Sequence, residues 1–269
     1  MHSLINGITM AYDDNGSGDP LLLIHGFPLC RKMWRSQIKG VASAGFRVVT
    51  PDLRGFGESD AVEGPYAMEI FADDMIELLD HLGIGQAVVG GMSMGGYVLF
   101  NLLERYPERI RAACFITTRA TADDEAGRER RLLLAREVKK FGPRLVADAF
   151  EKILFAGESR RERPKLVNEV YAWMMANDSR GIAGGLLAMR ERQDYTGFLS
   201  SIAVPSLAIG AEGDVAAPPE NSRAIAAGIP GCRLALIPHA GHMANLENPG
   251  AFNDALLDFL RGLRPVQAP

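Results

Sequence analysis

Apolar residues cluster in short unbroken runs separated by longer stretches in which they recur every three or four positions. The runs are Leu21-Leu22-Leu23-Ile24, Phe46 to Thr50, Ala87-Val88-Val89, Ala112 to Ile116, Val204 to Gly210 and Arg233 to Ile237. Runs of this kind suit strands covered on both faces, as in a parallel sheet. Between them, Met33 to Ala44, Ile70 to Leu82, Tyr97 to Tyr106, Glu220 to Ala227 and Ala251 to Leu263 carry helical spacing, with Gly or Pro closing several of them. Strands alternating with amphipathic helices predict an α/β fold with a mainly parallel sheet. Ahead of them, Ser3 to Tyr12 alternates loosely. With the turn-rich stretch Asp13 to Pro20 behind it, it reads as a starting hairpin.

The alternation breaks between about Ala120 and Tyr195. No strand pattern occurs there, only charged amphipathic helices over Arg128–Phe141, Arg144–Phe155, Arg163–Met175 and Arg180–Arg192. The block reads as a helical cap, residues 120–195, inserted into a core made of residues 1–119 and 196–269. Trp173, Met174, Met175, Leu186, Leu187 and Met189 exceed what one buried stripe requires. From these, Trp173, Met174 and Leu187 are expected to line a substrate pocket, with Met92 and Met243 from the core. A Pro-containing tail after Leu263 is expected to fray.

Composition narrows the classes without choosing among them. With 47% hydrophobic and 23% charged residues, the chain is ordinary for a globular domain. Its net charge of −4 offers no electrostatic reason for nucleic acid or an anionic membrane as partner. Cys30, Cys114 and Cys232 lie far apart and form no C-x-x-C pair, which suits a reducing compartment. Without a signal-peptide pattern or an apolar run long enough to span a bilayer, a cytoplasmic location is the expectation. Nothing in the pattern predicts an oligomeric state.

The chemistry centres on Gly91-Met92-Ser93-Met94-Gly95, a G-x-S-x-G motif set between a strand and a helix. In such a nucleophile elbow a sharp turn exposes the serine hydroxyl. Serine needs a general base, and the base an orienting acid, following in chain order. His239 and His242 both follow the last strand. They could also suggest two metal ligands, but no third ligand cluster and no H-E-x-x-H accompany them, so no metal is expected. For the acid, Asp214 stands directly after a strand; Glu212 is the near competitor, and Asp123 and Asp124 are distant ones. An oxyanion hole needs two backbone N–H groups. Met94 supplies one and the loop after Leu21–Ile24 the other, where Pro28 has none to give, leaving Phe27. His25 is expected to make a structural loop hydrogen bond.

Five motifs in order, His25-Gly26-Phe27-Pro28, Asp52 to Ser59, Gly91 to Gly96, Gly210 to Asp214 and Gly241-His242, resemble those of the α/β-hydrolase superfamily. The elbow is similar to that of small carboxylesterases and enol-lactonase-like members. The resemblance favours His242 as the base and treats the Asp52–Ser59 turn as structural. It implies cofactor-free hydrolysis of a small ester or lactone by Ser93, Asp214 and His242, with an acyl-enzyme intermediate. Serine at the elbow argues against dehalogenases and epoxide hydrolases. Phe27, where many perhydrolases carry tryptophan, lowers the option of peracid chemistry without removing it, and C–C hydrolysis stays beside it as an alternative to ester and lactone cleavage. The non-enzymatic alternative is a ligand-binding receptor on the same fold.

Overall fold

The computed structural model describes residues 1–64 and 66–263; the tail expected to fray lies outside them. Eight strands form one sheet: β1 (His2–Ile5), β2 (Ile8–Asn15), β3 (Asp19–Ile24), β4 (Phe46–Pro51), β5 (Ala87–Met92), β6 (Ile110–Ile116), β7 (Ser206–Ala211) and β8 (Arg233–Ile237). Their spatial order is β1-β2-β4-β3-β5-β6-β7-β8. The first two strands pair antiparallel and β2 pairs antiparallel with β4; every other pairing is parallel.

Eleven α-helices accompany the sheet among the described residues: α1 (Arg35–Ala42), α2 (Met68–His81), α3 (Met94–Arg105), α4 (Glu125–Phe141), α5 (Arg144–Leu154), α6 (Gly157–Glu162), α7 (Pro164–Met175), α8 (Ser179–Glu191), α9 (Pro219–Gly228), α10 (Ala244–Glu247) and α11 (Pro249–Gly262). The central strands are apolar throughout because both faces are covered. Leu22, Ile24, Val49 and Val89 pack with α2 and α3. Leu21, Leu23, Val48 and Val88 point the other way, toward α1 and α11. This alternation splits one apolar run between two cores.

The opening hairpin differs from the expectation. Its tight turn is Asn6-Gly7, with φ of 44° and 78°, a pair that matches the twist of two antiparallel strands. The polar stretch Asp13 to Asn15 is strand, paired with Val48 to Thr50. Backbone pairing to β4 overrides its turn-like composition.

Five helices, α4 to α8, separate β6 from β7. Asp124 and Asp178 cap α4 and α8, their carboxylates accepting from the N–H groups of Gly127 and Arg180 at 2.7 Å each. The sequence pattern predicts four helices here; α6 escaped it because its Glu-Ser-Arg-Arg-Glu has no apolar period. Helix α8 approaches the core closely. A Cβ on Gly181 would stand 1.7 Å from the Gly55 carbonyl oxygen, so glycine alone permits that seat, although it weakens a helix interior by ~1 kcal/mol.

Candidate active site

The elbow is built as a strand–turn–helix. Strand β5 ends at Met92, α3 starts at Met94, and Ser93 between them has φ 53° and ψ −112°. A side-chain-bearing residue rarely adopts such angles, which cost ~1–3 kcal/mol. The surroundings hold it there. The Ser93 N–H donates to the Ile116 carbonyl at 2.9 Å, and its own carbonyl accepts from the Gly96 N–H at 2.9 Å and the Thr118 hydroxyl at 2.8 Å. A Cβ on Gly95 would come within 2.4 Å of the Ile24 carbonyl oxygen; glycine there lets α3 close onto the end of β3.

His242 and Asp214 meet at the ends of β8 and β7. His242 Nδ1 lies 2.7 Å from Asp214 Oδ2, and both side chains are buried. The other Asp214 oxygen accepts from the N–H groups of Ala216 at 2.8 Å and Ala217 at 2.9 Å. With the carboxylate acting only as an acceptor, His242 carries its proton on Nδ1 and leaves Nε2 as a free base. Two backbone bonds zip the Asp214 loop to the His242 loop: Glu212 N–H to Ile237 O at 3.1 Å and Gly213 N–H to Ala240 O at 2.8 Å. The Thr117 hydroxyl donates to the His242 carbonyl at 3.3 Å. The competing residues lie elsewhere. Glu212 is exposed, and the His239 side chain is 81% exposed, 3.9 Å from Glu158.

Ser93 and His242 line one cavity of about 120 Å³. Phe27, Tyr97, Ala216 and Ala217 join them from the core, Arg119 stands between β6 and α4, and Arg131, Phe150, Ile153 and Met189 close it from α4, α5 and α8. The five residues expected to line the pocket do not line this cavity. Met92, Met174 and Met243 are buried in the core, and Leu187 packs against the other core cluster. Trp173 lies in an outer groove with Arg35, whose guanidinium carbon is 5.4 Å from its ring centroid. Composition identified apolar excess in the helical block between β6 and β7, but not which helix face turns toward Ser93. Of Trp173, Met174, Met175, Leu186, Leu187 and Met189, Met189 alone lines the cavity. Tyr97 was missed, and its place one helical turn beyond Ser93 is the signal that could have found it.

The candidate oxyanion donors flank Ser93. Met94 is the first residue of α3, where N–H groups lack intrahelical partners. Phe27 sits on the loop after β3, with its side chain in the cavity wall. Asn177, which sequence reasoning missed, ties that loop down. Its amide donates to the Pro28 carbonyl at 2.8 Å and its carbonyl accepts from the Gly57 N–H at 2.8 Å.

His25 is structural, and its hydrogen bonds fix its protonation. Nε2 accepts from the Leu53 N–H at 3.0 Å, so Nδ1, 2.8 Å from the Gly26 carbonyl, bears the proton. Burial pushes its pKa below the ordinary 6.5, more than the nearby Asp52 raises it. In the unfolded chain His25 then binds a proton more readily than in the fold. The corresponding stability is fully present above pH ~6.5 and is lost as pH falls toward the folded value. The melting temperature of His25→Gln is expected to fall less between pH 7 and pH 5 than that of the wild type; parallel curves would contradict this.

Asp123 gathers three guanidiniums. Arg119 donates to it at 2.6 Å, Arg192 at 2.9 Å, and Arg131 through Nε. Burial alone would raise its pKa, but the hydrogen bonds from Arg192 and Arg131 outweigh burial and hold it well below the usual carboxylate range.

Comparison with known proteins follows this geometry. A family profile described as the alpha/beta hydrolase fold matches residues 19–249. The chain belongs to the α/β-hydrolase fold family. Among solved members, it resembles a thermophilic esterase from Thermogutta terrifontis at 35% identity and TM-score 0.94, covering 98% of each chain. It is also similar to the enol-lactonase from Burkholderia xenovorans LB400, at 28% identity and TM-score 0.90 over 97% of this chain and 100% of that one. A bromoperoxidase from Bacillus anthracis matches at 26% identity and TM-score 0.86, with 97% and 100% covered. Among the described residues, no helix of this α/β hydrolase is long and apolar enough to cross a membrane.

Proposed function

We propose that this α/β hydrolase is a serine carboxylesterase acting on small esters, with lactones as the tethered form of the same substrate class. The observation that carries the reading is the buried Asp214–His242 pair at 2.7 Å, sharing one cavity with the strained Ser93. Ser93 Oγ attacks the carbonyl carbon as His242 Nε2 takes the hydroxyl proton. The tetrahedral oxyanion is held by the N–H groups of Phe27 and Met94. Its collapse breaks the acyl–oxygen bond, and the imidazolium returns the proton to the leaving alkoxide, releasing an alcohol. Water, deprotonated by the same nitrogen, then hydrolyses the acyl-enzyme to the acid and restores Ser93.

The cavity size supports a small acyl group. A chamber of about 120 Å³ around Ser93 accords with a short acyl chain. Two of the relatives, named an esterase and an enol-lactonase, accord with this reading.

A fluorophosphonate tests it. Mass spectrometry is expected to find a single adduct on Ser93, with turnover on a panel of short esters and lactones lost in proportion to labelling. Labelled protein that keeps its turnover would overturn the mechanism. Labelling of Ser93 in a protein inert toward the whole panel would favour a receptor on the same fold.

A further inference from the structure

The chamber around Ser93 has a neighbour. A second cavity, about 260 Å³, lies among α4, α5 and α8, and Arg119, Arg131 and Phe150 line both. Those three side chains are therefore the partition between a small chamber holding the nucleophile and a wider outer one. The outer wall adds Asp123, Arg130, Leu134 and Leu186. Taken together the two spaces reach the size range of ordinary small-molecule sites, whereas the inner one alone falls below it.

The partition is positively charged. Arg119, Arg131 and Arg192 converge on the single carboxylate of Asp123. Asp194, whose charge also reaches Arg192, reduces the excess without removing it. The three arginines differ in what they have left to give. Arg192 is 2% exposed at its side chain and donates to the carbonyls of Met189 at 2.7 Å and Thr121 at 3.1 Å besides Asp123. Its guanidinium also lies 4.3 Å from the Tyr97 ring centroid. It anchors Asp123. Arg119, by contrast, bonds Asp123 through one Nη, and its other Nη has no acceptor among the described residues, whereas both Nη of Arg192 are engaged. Arg131 reaches Asp123 through Nε and, through Nη1, only the Met189 sulfur at 3.4 Å, a weak acceptor. Two guanidiniums with unused donors thus face the space a substrate must occupy.

Resting on the esterase reading above, we propose that the substrates of Ser93 carry a carboxylate a short carbon chain away from the scissile carbonyl, and that Arg119 and Arg131 receive it at the partition. A guanidinium pairs with a carboxylate through parallel charge-assisted hydrogen bonds. A neutral alkyl group in the same place would leave those donors desolvated and unpaired. Asp123 positions the two arginines. The substrate class is the monoester of a short dicarboxylic acid, or a lactone bearing a carboxylate.

Monomethyl glutarate and methyl valerate differ by a carboxylate in place of a methyl group and test this directly. In wild type, kcat/KM is expected to favour the anionic ester at least tenfold, and high salt to narrow the gap. Arg119→Gln and Arg131→Gln are expected to bring that ratio at least tenfold toward the neutral ester, with Arg119→Lys restoring part of it. The ratio is read within each variant, so a merely structural role would depress both esters alike and leave it unchanged. That result, or a wild-type ratio of one or less, would overturn the proposal. Calorimetric binding of the same two esters to Ser93→Ala separates this inference from the reading beneath it. Preferential binding of the anion, lost in Ser93→Ala/Arg119→Gln, supports the arginine site even if wild type hydrolyses neither ester. Equal or weaker binding of the anion refutes the site even if esters are cleaved.

Discussion

Ser93→Ala is expected to lower kcat on short esters by about 10⁴- to 10⁶-fold, the range seen when a catalytic nucleophile is removed from a serine hydrolase. On the proposed mechanism the remaining rate comes from the Phe27 and Met94 N–H groups and from binding, which the substitution leaves in place. Alanine keeps the same Cβ, and with it the backbone strain at φ 53° and ψ −112°. Glycine does not. Ser93→Gly is expected to be as inactive as Ser93→Ala yet more stable than it by about 1 kcal/mol, since the relieved strain exceeds glycine's extra entropy in the unfolded chain. For a chain of this size that is a rise of roughly 2 °C or more in melting temperature. Steady-state kinetics and thermal melts on both variants decide the matter. Turnover within tenfold of wild type would remove Ser93 from the mechanism. A Ser93→Gly protein less stable than Ser93→Ala would mean that the elbow is not strained in solution.

That opposition between stability and chemistry explains why the elbow is so legible in sequence. A serine held at such angles needs partners that permit close approach, and those partners are glycines such as Gly95. The parallel strands are legible for a related reason: burial on both faces leaves no polar positions to blur the run. Asp214 and His242, the acid and base of the proposed mechanism, are legible from where strands end, because an open α/β sheet places its site beyond the carboxyl ends of its strands.

The pocket was not legible, and the cause is tertiary. Trp173, Met174 and Leu187 are as apolar as Met189, yet of these only Met189 lines the cavity that Ser93 lines. The choice is made by the seating of α8 on the core at Gly181 and Gly55, a contact 126 residues apart in the chain that no helical period contains. Arg119 and Arg131 escaped for the opposite reason. Charges on and around an amphipathic helix ordinarily face water, and only their convergence on Asp123 marks these two as inward. The turn-like Asp13 to Asn15 shows the same limit at the sheet edge, where a backbone partner outweighs side-chain preference.

Asp214→Asn is expected to lower kcat by about 10⁴-fold while leaving the fold intact. The geometry dictates how the new amide must sit. Asp214 Oδ1 accepts from two backbone donors, Ala216 and Ala217, so an NH₂ group cannot take that position. The amide oxygen stays there, and the nitrogen faces His242 Nδ1 in place of Oδ2. An N–H donor at that point forces the ring to carry its proton on Nε2 and to accept at Nδ1. His242 then presents a proton to Ser93 where a lone pair is required, and the serine goes unactivated. The hydrogen-bond count is unchanged, so the melting temperature should stay within a few degrees of wild type. Asp214→Ala is the contrasting variant. It leaves His242 Nδ1 with no carboxylate partner and two buried N–H groups with no acceptor, at a stability cost of about 1–3 kcal/mol for each unpaired group. Comparable inactivity in both, with a stability loss in alanine alone, is the expected pattern. An Asp214→Asn enzyme within tenfold of wild type would show that His242 keeps its working tautomer without this carboxylate, and would dismiss Asp214 from its orienting role.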